Sequence, residues 1–79
     1  MKYIIEQSEY HKYGQAVKFD GGEFEQFEAL VDVIADWCRN SMSGYGEDWW
    51  MLVFDHGWDI HFCFDLPENA AFFKLRWNP

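Results

Sequence analysis

The hydrophobic pattern of this chain changes period at its centre. Trp49 to Phe54 is an unbroken apolar run, Trp-Trp-Met-Leu-Val-Phe. It is too short for a typical helix and suits a strand buried on both faces. After His56-Gly57 the pattern becomes strict alternation. Trp58, Ile60, Phe62 and Phe64 point one way, and Asp59, His61, Cys63 and Asp65 the other. That is a half-buried strand, so the two runs form a hairpin, with Gly57 supplying a positive φ. Two registers fit. A His56-Gly57 loop sets Val53 against Ile60 and Met51 against Phe62. A three-residue loop with a bulge sets Leu52 against Ile60 and Trp50 against Phe62. Both join apolar to apolar, so the pattern does not choose. In either register, large apolar groups share a face with Asp59, His61 and Cys63. A helix, a partner subunit or a target protein has to cover that second face.

Upstream, Lys2 to Gln7 reads as a first strand and Ser8 to Tyr13 as a connection. Gly14 to Phe19 reads as a weaker second strand. Its low apolar content suggests an edge, where Lys18 discourages edge-to-edge pairing. Asp20-Gly21-Gly22 is a stop, and Asp20 or a glycine caps the next element. That element is a helix, predicted from about Glu23 to Asn40. Phe24, Phe27, Leu30, Val31, Ile34, Trp37 and Cys38 form its apolar stripe. Glu25, Glu28, Asp32 and Asp36 line up along the exposed side. Asn40 to Glu47 is a glycine- and serine-rich loop that presents Tyr45.

Asp65-Leu66-Pro67-Glu68 marks another helix start, with Asp65 as cap and Glu68 completing the box. The helix should run to about Phe73. Lys74-Leu75-Arg76-Trp77 either extends it or forms a last short strand, and its alternation favours the strand. The order is ββαββα with that strand in question. It implies one domain over residues 1–79 and an α+β class. The architecture expected is a two-layer sandwich on a mainly antiparallel sheet, a ferredoxin-like variant.

Composition adds to this picture. Of the 79 residues, 49% are apolar and 22% aromatic, which compensates for the small core a short chain can build. Cys38 and Cys63 are expected as reduced thiols near that core. No charged-then-apolar leader and no membrane-length apolar run is present, so an intracellular, cytoplasmic protein is expected. Fourteen acidic residues against six basic ones give a formal charge of −8. Direct contact with nucleic acid or an anionic membrane is disfavoured, because phosphates need a basic footprint. A basic protein surface is the favoured partner.

Candidate chemistry is sparse. His61, Cys63, Cys38 and His56 could be drawn into a metal site, but no Cys-x-x-Cys or His-x3-His spacing supports one. Cys63 and His61 sit two residues apart on one strand, loose for an activated nucleophile. Asp55, Asp59 and Asp65 read first as solvated hairpin carboxylates. The Ser43-Gly44-Tyr45-Gly46 loop lacks the Gly-Lys-Ser/Thr ending of a phosphate loop. No catalytic residue, metal or cofactor is therefore assigned. The sharper feature is the acidic row, whose carboxylates rise about 5–6 Å per turn. With Glu47, Asp48 and Glu9 it could imitate a run of phosphates. Tyr45, Glu47, Trp49 and Trp50 are secondary contact candidates, from the loop and the aromatic sheet face. A homodimer through that sheet face is the competing expectation.

The run Asp65-Leu66-Pro67-Glu68-Asn69-Ala70-Ala71-Phe72-Phe73-Lys74-Leu75-Arg76-Trp77 resembles the tail of small acidic accessory proteins encoded by tailed bacteriophages. Size, acidity and aromatic content resemble phage proteins that block host defence or host nucleic-acid enzymes. The resemblance implies a small inhibitor or modulator and carries over no catalytic residues.

Overall fold

The computed structural model describes residues 3–19, 21–42 and 44–78. Along them run strand β1 (Tyr3–Gln7), strand β2 (Gln15–Phe19), helix α1 (Phe24–Ser41), strand β3 (Trp49–Phe54), strand β4 (Asp59–Phe64) and helix α2 (Pro67–Trp77). The four strands form one sheet in the order β1-β2-β4-β3, and every neighbouring pair is antiparallel. The fold is α+β. β2, α1 and β3 make a split crossover with β4 inserted between the two strands, as in ferredoxin-like sheets. In the usual ferredoxin order an edge strand comes after the second helix. Here the strand in that place is β1, which comes first in the chain.

The hairpin takes the first of the two registers. Trp49 pairs with Phe64, Met51 with Phe62 and Val53 with Ile60. The link is nonetheless longer than His56-Gly57. Asp55 and His56 both hold positive φ (53° and 54°), Gly57 is at 94°, and Trp58 N–H closes the turn on the Asp55 carbonyl at 3.0 Å. Gly57 is required on two counts. Its φ disfavours any side chain, and a Cβ there would stand 3.1 Å from the Phe24 ring. Trp58 therefore lies in the turn, stacked nearly parallel to Phe27 at 6.0 Å.

One face of the sheet carries Val17, Ile60, Phe62, Phe64 and Trp49, all buried. Phe27, Ile34, Ala35 and Cys38 of α1 and Ala70, Phe73 and Trp77 of α2 close over them. Phe62, on an interior strand, stacks on Trp49 at 6.3 Å and meets Phe73 at 5.3 Å.

Four expectations about the strands, helices and caps differ from the structure. β2 is interior, between β1 and β4, while the apolar run β3 is an edge. An apolar run reports that both faces are covered, and that condition does not fix where a strand stands in its sheet. α1 is capped by Glu23, whose side chain and that of Gln26 complete a reciprocal capping box. The expected cap Asp20 lies outside the described residues. α2 starts from Leu66 without a side-chain cap, so Asp65 and Glu68 do not form the expected box. Lys74–Trp77 continues α2 and is not a strand. Ala70, Phe73 and Trp77 are the buried positions of α2, and their spacing of three and four is helical. Trp77 also receives the Tyr3 hydroxyl on its carbonyl at 2.6 Å, tying α2 to β1.

Candidate functional site

Two surfaces carry the polar residues singled out in the sequence. The first is the outer side of α1. Its apolar stripe is committed to the sheet, so helical spacing leaves Glu25, Glu28, Asp32 and Asp36 on the solvent side, and all four are exposed. Arg39 pairs with Asp36 at 2.6 Å. Among the described residues no ion pair engages Glu25, Glu28 or Asp32. The far end of the helix opens into a shallow groove of about 480 Å³ lined by Asn40, Ser41, Met42, Asp48, Leu66 and Asn69. Asp48 thus adjoins the C-terminal end of α1. Glu47 is exposed in the same loop.

Glu9 does not join that row. It belongs to the β1–β2 connection, which lies across the opposite face of the sheet. There Tyr10 packs on Phe54 at 4.5 Å and meets His61 at 5.2 Å, and His11 meets Trp50 edge-on at 5.0 Å. Gln7 holds the connection in shape by donating to the carbonyls of His11 and Lys12. The second face is therefore covered from within the chain, by a short aromatic loop.

The loop is fastened by a polar chain. Ser8 Oγ lies 2.7 Å from His61 Nδ1 and accepts the Tyr10 N–H at 3.0 Å. The arrangement that satisfies these groups has the Ser8 hydroxyl donating to Nδ1, which places the ring proton on Nε2. Asp59 Oδ1 stands 2.9 Å from Nε2, at an angle that leaves neither atom an aligned hydrogen bond. Serine, histidine and aspartate in line resemble an acyl-transfer triad. Ser8, however, is only 6% exposed and His61 2%. The serine oxygen already carries two hydrogen bonds inside the fold. What the arrangement does is hold the loop on the sheet. Beside it, a cavity of about 130 Å³ is lined by Glu6, Gln7, Glu9, Ala16, Lys18 and His61. Glu6 hydrogen-bonds and pairs with Lys18 at 3.3 Å, which raises the lysine pKa.

The remaining candidates divide clearly. Tyr45 is 57% exposed, as expected, with its ring edge-on to Trp49 at 5.0 Å. Trp49, expected as an accessible contact on the aromatic sheet face, is fully buried instead, because its register opposite Phe64 turns it toward the helices. Trp50 does lie on the other face, half-buried against His11. Among the described residues no three of His, Cys, Asp and Glu gather as metal ligands, and no helix is long and apolar enough to cross a membrane.

Sequence reasoning misses Ser8 and Tyr10, because their segment reads as a plain connection. The signal available is its aromatic content, since Tyr10, His11 and Tyr13 are unusual in a solvated loop.

Both thiols are buried and free. Burial pushes the Cys38 thiol from its ordinary value near 9 up to about 12, and raises that of Cys63. The folded state thus holds protons that the unfolded chain gives up. The stabilisation is complete below the unfolded thiol value and is lost as pH rises through the interval from about 9 toward about 12. At pH 8 native Cys38 should carry on the order of a thousandfold less thiolate than a free thiol. A thiol reagent is expected to label the native protein slowly and the urea-unfolded protein at both cysteines at once. Rapid labelling of the native protein would contradict the placement of both residues.

No protein-family model, curated protein or solved structure matches this chain.

Proposed function

We propose that this chain is a small non-enzymatic binding protein of the phage accessory type, acting in the cytoplasm of a bacterial host. It docks through the acidic side of α1 onto a basic surface of a host nucleic-acid-handling or defence protein. The observation that carries this reading is the exposure of Glu25, Glu28, Asp32 and Asp36 along one helix, with Arg39 as their sole ion-pair partner among the described residues. Like charges one turn apart cost a helix some tenths of a kcal/mol per pair. Packing of the opposite stripe must offset that cost, and a basic partner would remove it. Such a surface steers association and makes it salt-dependent.

The test compares capture from bacterial lysate by the wild-type chain and by a Glu28→Gln, Asp32→Asn, Asp36→Asn variant. The wild type should retain a nucleic-acid-handling protein at low salt and release it at high salt. The variant should bind that protein at least about tenfold more weakly, a loss of about 1.4 kcal/mol. Its thermal midpoint should stay close to that of the wild type, because relief of the repulsion offsets loss of the exposed Asp36–Arg39 pair. Undiminished binding by the variant would remove the acidic side of α1 from the interface.

A further inference from the structure

β3 is an edge strand with no charged residue and no proline from Trp49 to Phe54, the composition that edges usually avoid. Asp65 N–H donates to the Asp48 carbonyl at 3.1 Å, one step beyond the Trp49–Phe64 pair. Along an antiparallel ladder, hydrogen-bonded and non-bonded pairs alternate. Trp50, Leu52 and Phe54 therefore spend their backbone groups on β4, and Trp49, Met51 and Val53 turn theirs outward.

Part of this outward edge is covered. The Trp49 carbonyl accepts Gly46 N–H at 2.7 Å, and Met51 N–H donates to the Tyr45 hydroxyl at 3.4 Å. Beyond that point the Met51 carbonyl and both backbone groups of Val53 face out of the sheet, and the Val53 side chain is 58% exposed. β1, the other edge, is different in kind, because it carries Glu6 paired with Lys18.

We infer that the open half of β3 pairs antiparallel with β3 of a second copy of this chain, Val53 against Val53 across a two-fold axis. Such a pairing gives each Val53 N–H the opposite Val53 carbonyl, so the edge is complementary to itself. It also brings together the one described strand whose side chains carry no charge, in a chain with a formal charge of −8. The Tyr45–Gly46 segment stops the ladder from running further, so the contact is short and closes at two copies. The surface is separate from the acidic side of α1, and a dimer would present two such sides.

Sedimentation equilibrium on the full chain, from about 10 μM to about 1 mM, tests this. The wild type should reach twice the chain mass, more readily at high salt, where like charges are screened. Val53→Pro removes an N–H that faces outward and leaves the ladder to β4 intact. Val53→Lys places two like charges across the axis. Both variants should dissociate at least about tenfold more readily, with wild-type circular dichroism. If Val53→Pro fails to fold, Val53→Lys decides. A wild type that stays monomeric through the range, leaving the edge to a strand of another protein, overturns the inference. A dimer indifferent to the substitutions, or assembly beyond two copies, overturns it equally.

Discussion

Trp77→Ala should cost the fold about 3–5 kcal/mol, the range for emptying a buried aromatic site. At about 4–8 °C per kcal/mol for a domain of this size, the midpoint of thermal unfolding should fall by at least about 12 °C. The side chain is buried at the last turn of α2, edge-on to Trp37 at 6.1 Å and under the Arg76 guanidinium at 4.1 Å. Truncation therefore opens a cavity where α2 meets both α1 and β1. Leu75→Ala is the informative partner. In α2 Leu75 is exposed, and its loss should stay within about 0.5 kcal/mol. In a strand, Leu75 and Trp77 would share one side and both would matter. Calorimetry on the two variants thus measures the helix directly, and similar costs for both would sink it.

The second large effect is expected at the loop fastening. Ser8→Ala leaves His61 Nδ1 and the Tyr10 N–H without their partner inside the fold. Of the two, His61 Nδ1 is buried, and stranding such a group costs about 1–3 kcal/mol. The loop should lift, Trp50 should lose its cover, and trypsin should cut after Lys12 faster than in the wild type. His61→Leu alone should also destabilise, because it strands the Ser8 hydroxyl. Together the two substitutions should cost less than their sum, since replacing both partners of a buried bond is far cheaper than removing one. Urea unfolding of the four members of this cycle reads the coupling. Strictly additive costs would mean that the 2.7 Å contact contributes nothing to stability.

Much of this architecture is legible in the sequence because the signals are periodic. The alternation from Ile60 to Phe64 identifies β4, and the three- and four-residue spacing from Phe24 to Cys38 identifies α1 within two residues of its ends. The acidic side of α1 comes from the same spacing. The errors arise where a short pattern is consistent with two structures. Leu75 and Trp77 alternate with two bases, yet Ala70, Phe73 and Trp77 repeat as a helix, and burial obeys the helix. Trp49 lies in a run apolar at every position, so no alternation shows which way it points. The loop fastening is invisible for another reason. Ser8 and His61 are far apart in the chain, and nothing local to either marks them as partners.

The placement of β1 at the start of the chain also bears on how the sheet assembles. β1 meets β2 through a short connection, and β3 meets β4 through a tight turn. Both hairpins are local, with small loop-closure entropies. Had the edge strand come after α2, as in the usual ferredoxin order, it would have had to find β2 from the far end of the chain. As built, the long-range search is concentrated in a single strand pairing, β2 on β4, and α1 is the tether across it. Low contact order for two of three pairings favours rapid folding. It also shortens the time for which the uncharged strand β3 stands unprotected before α1 and the Tyr10 loop close over its two faces.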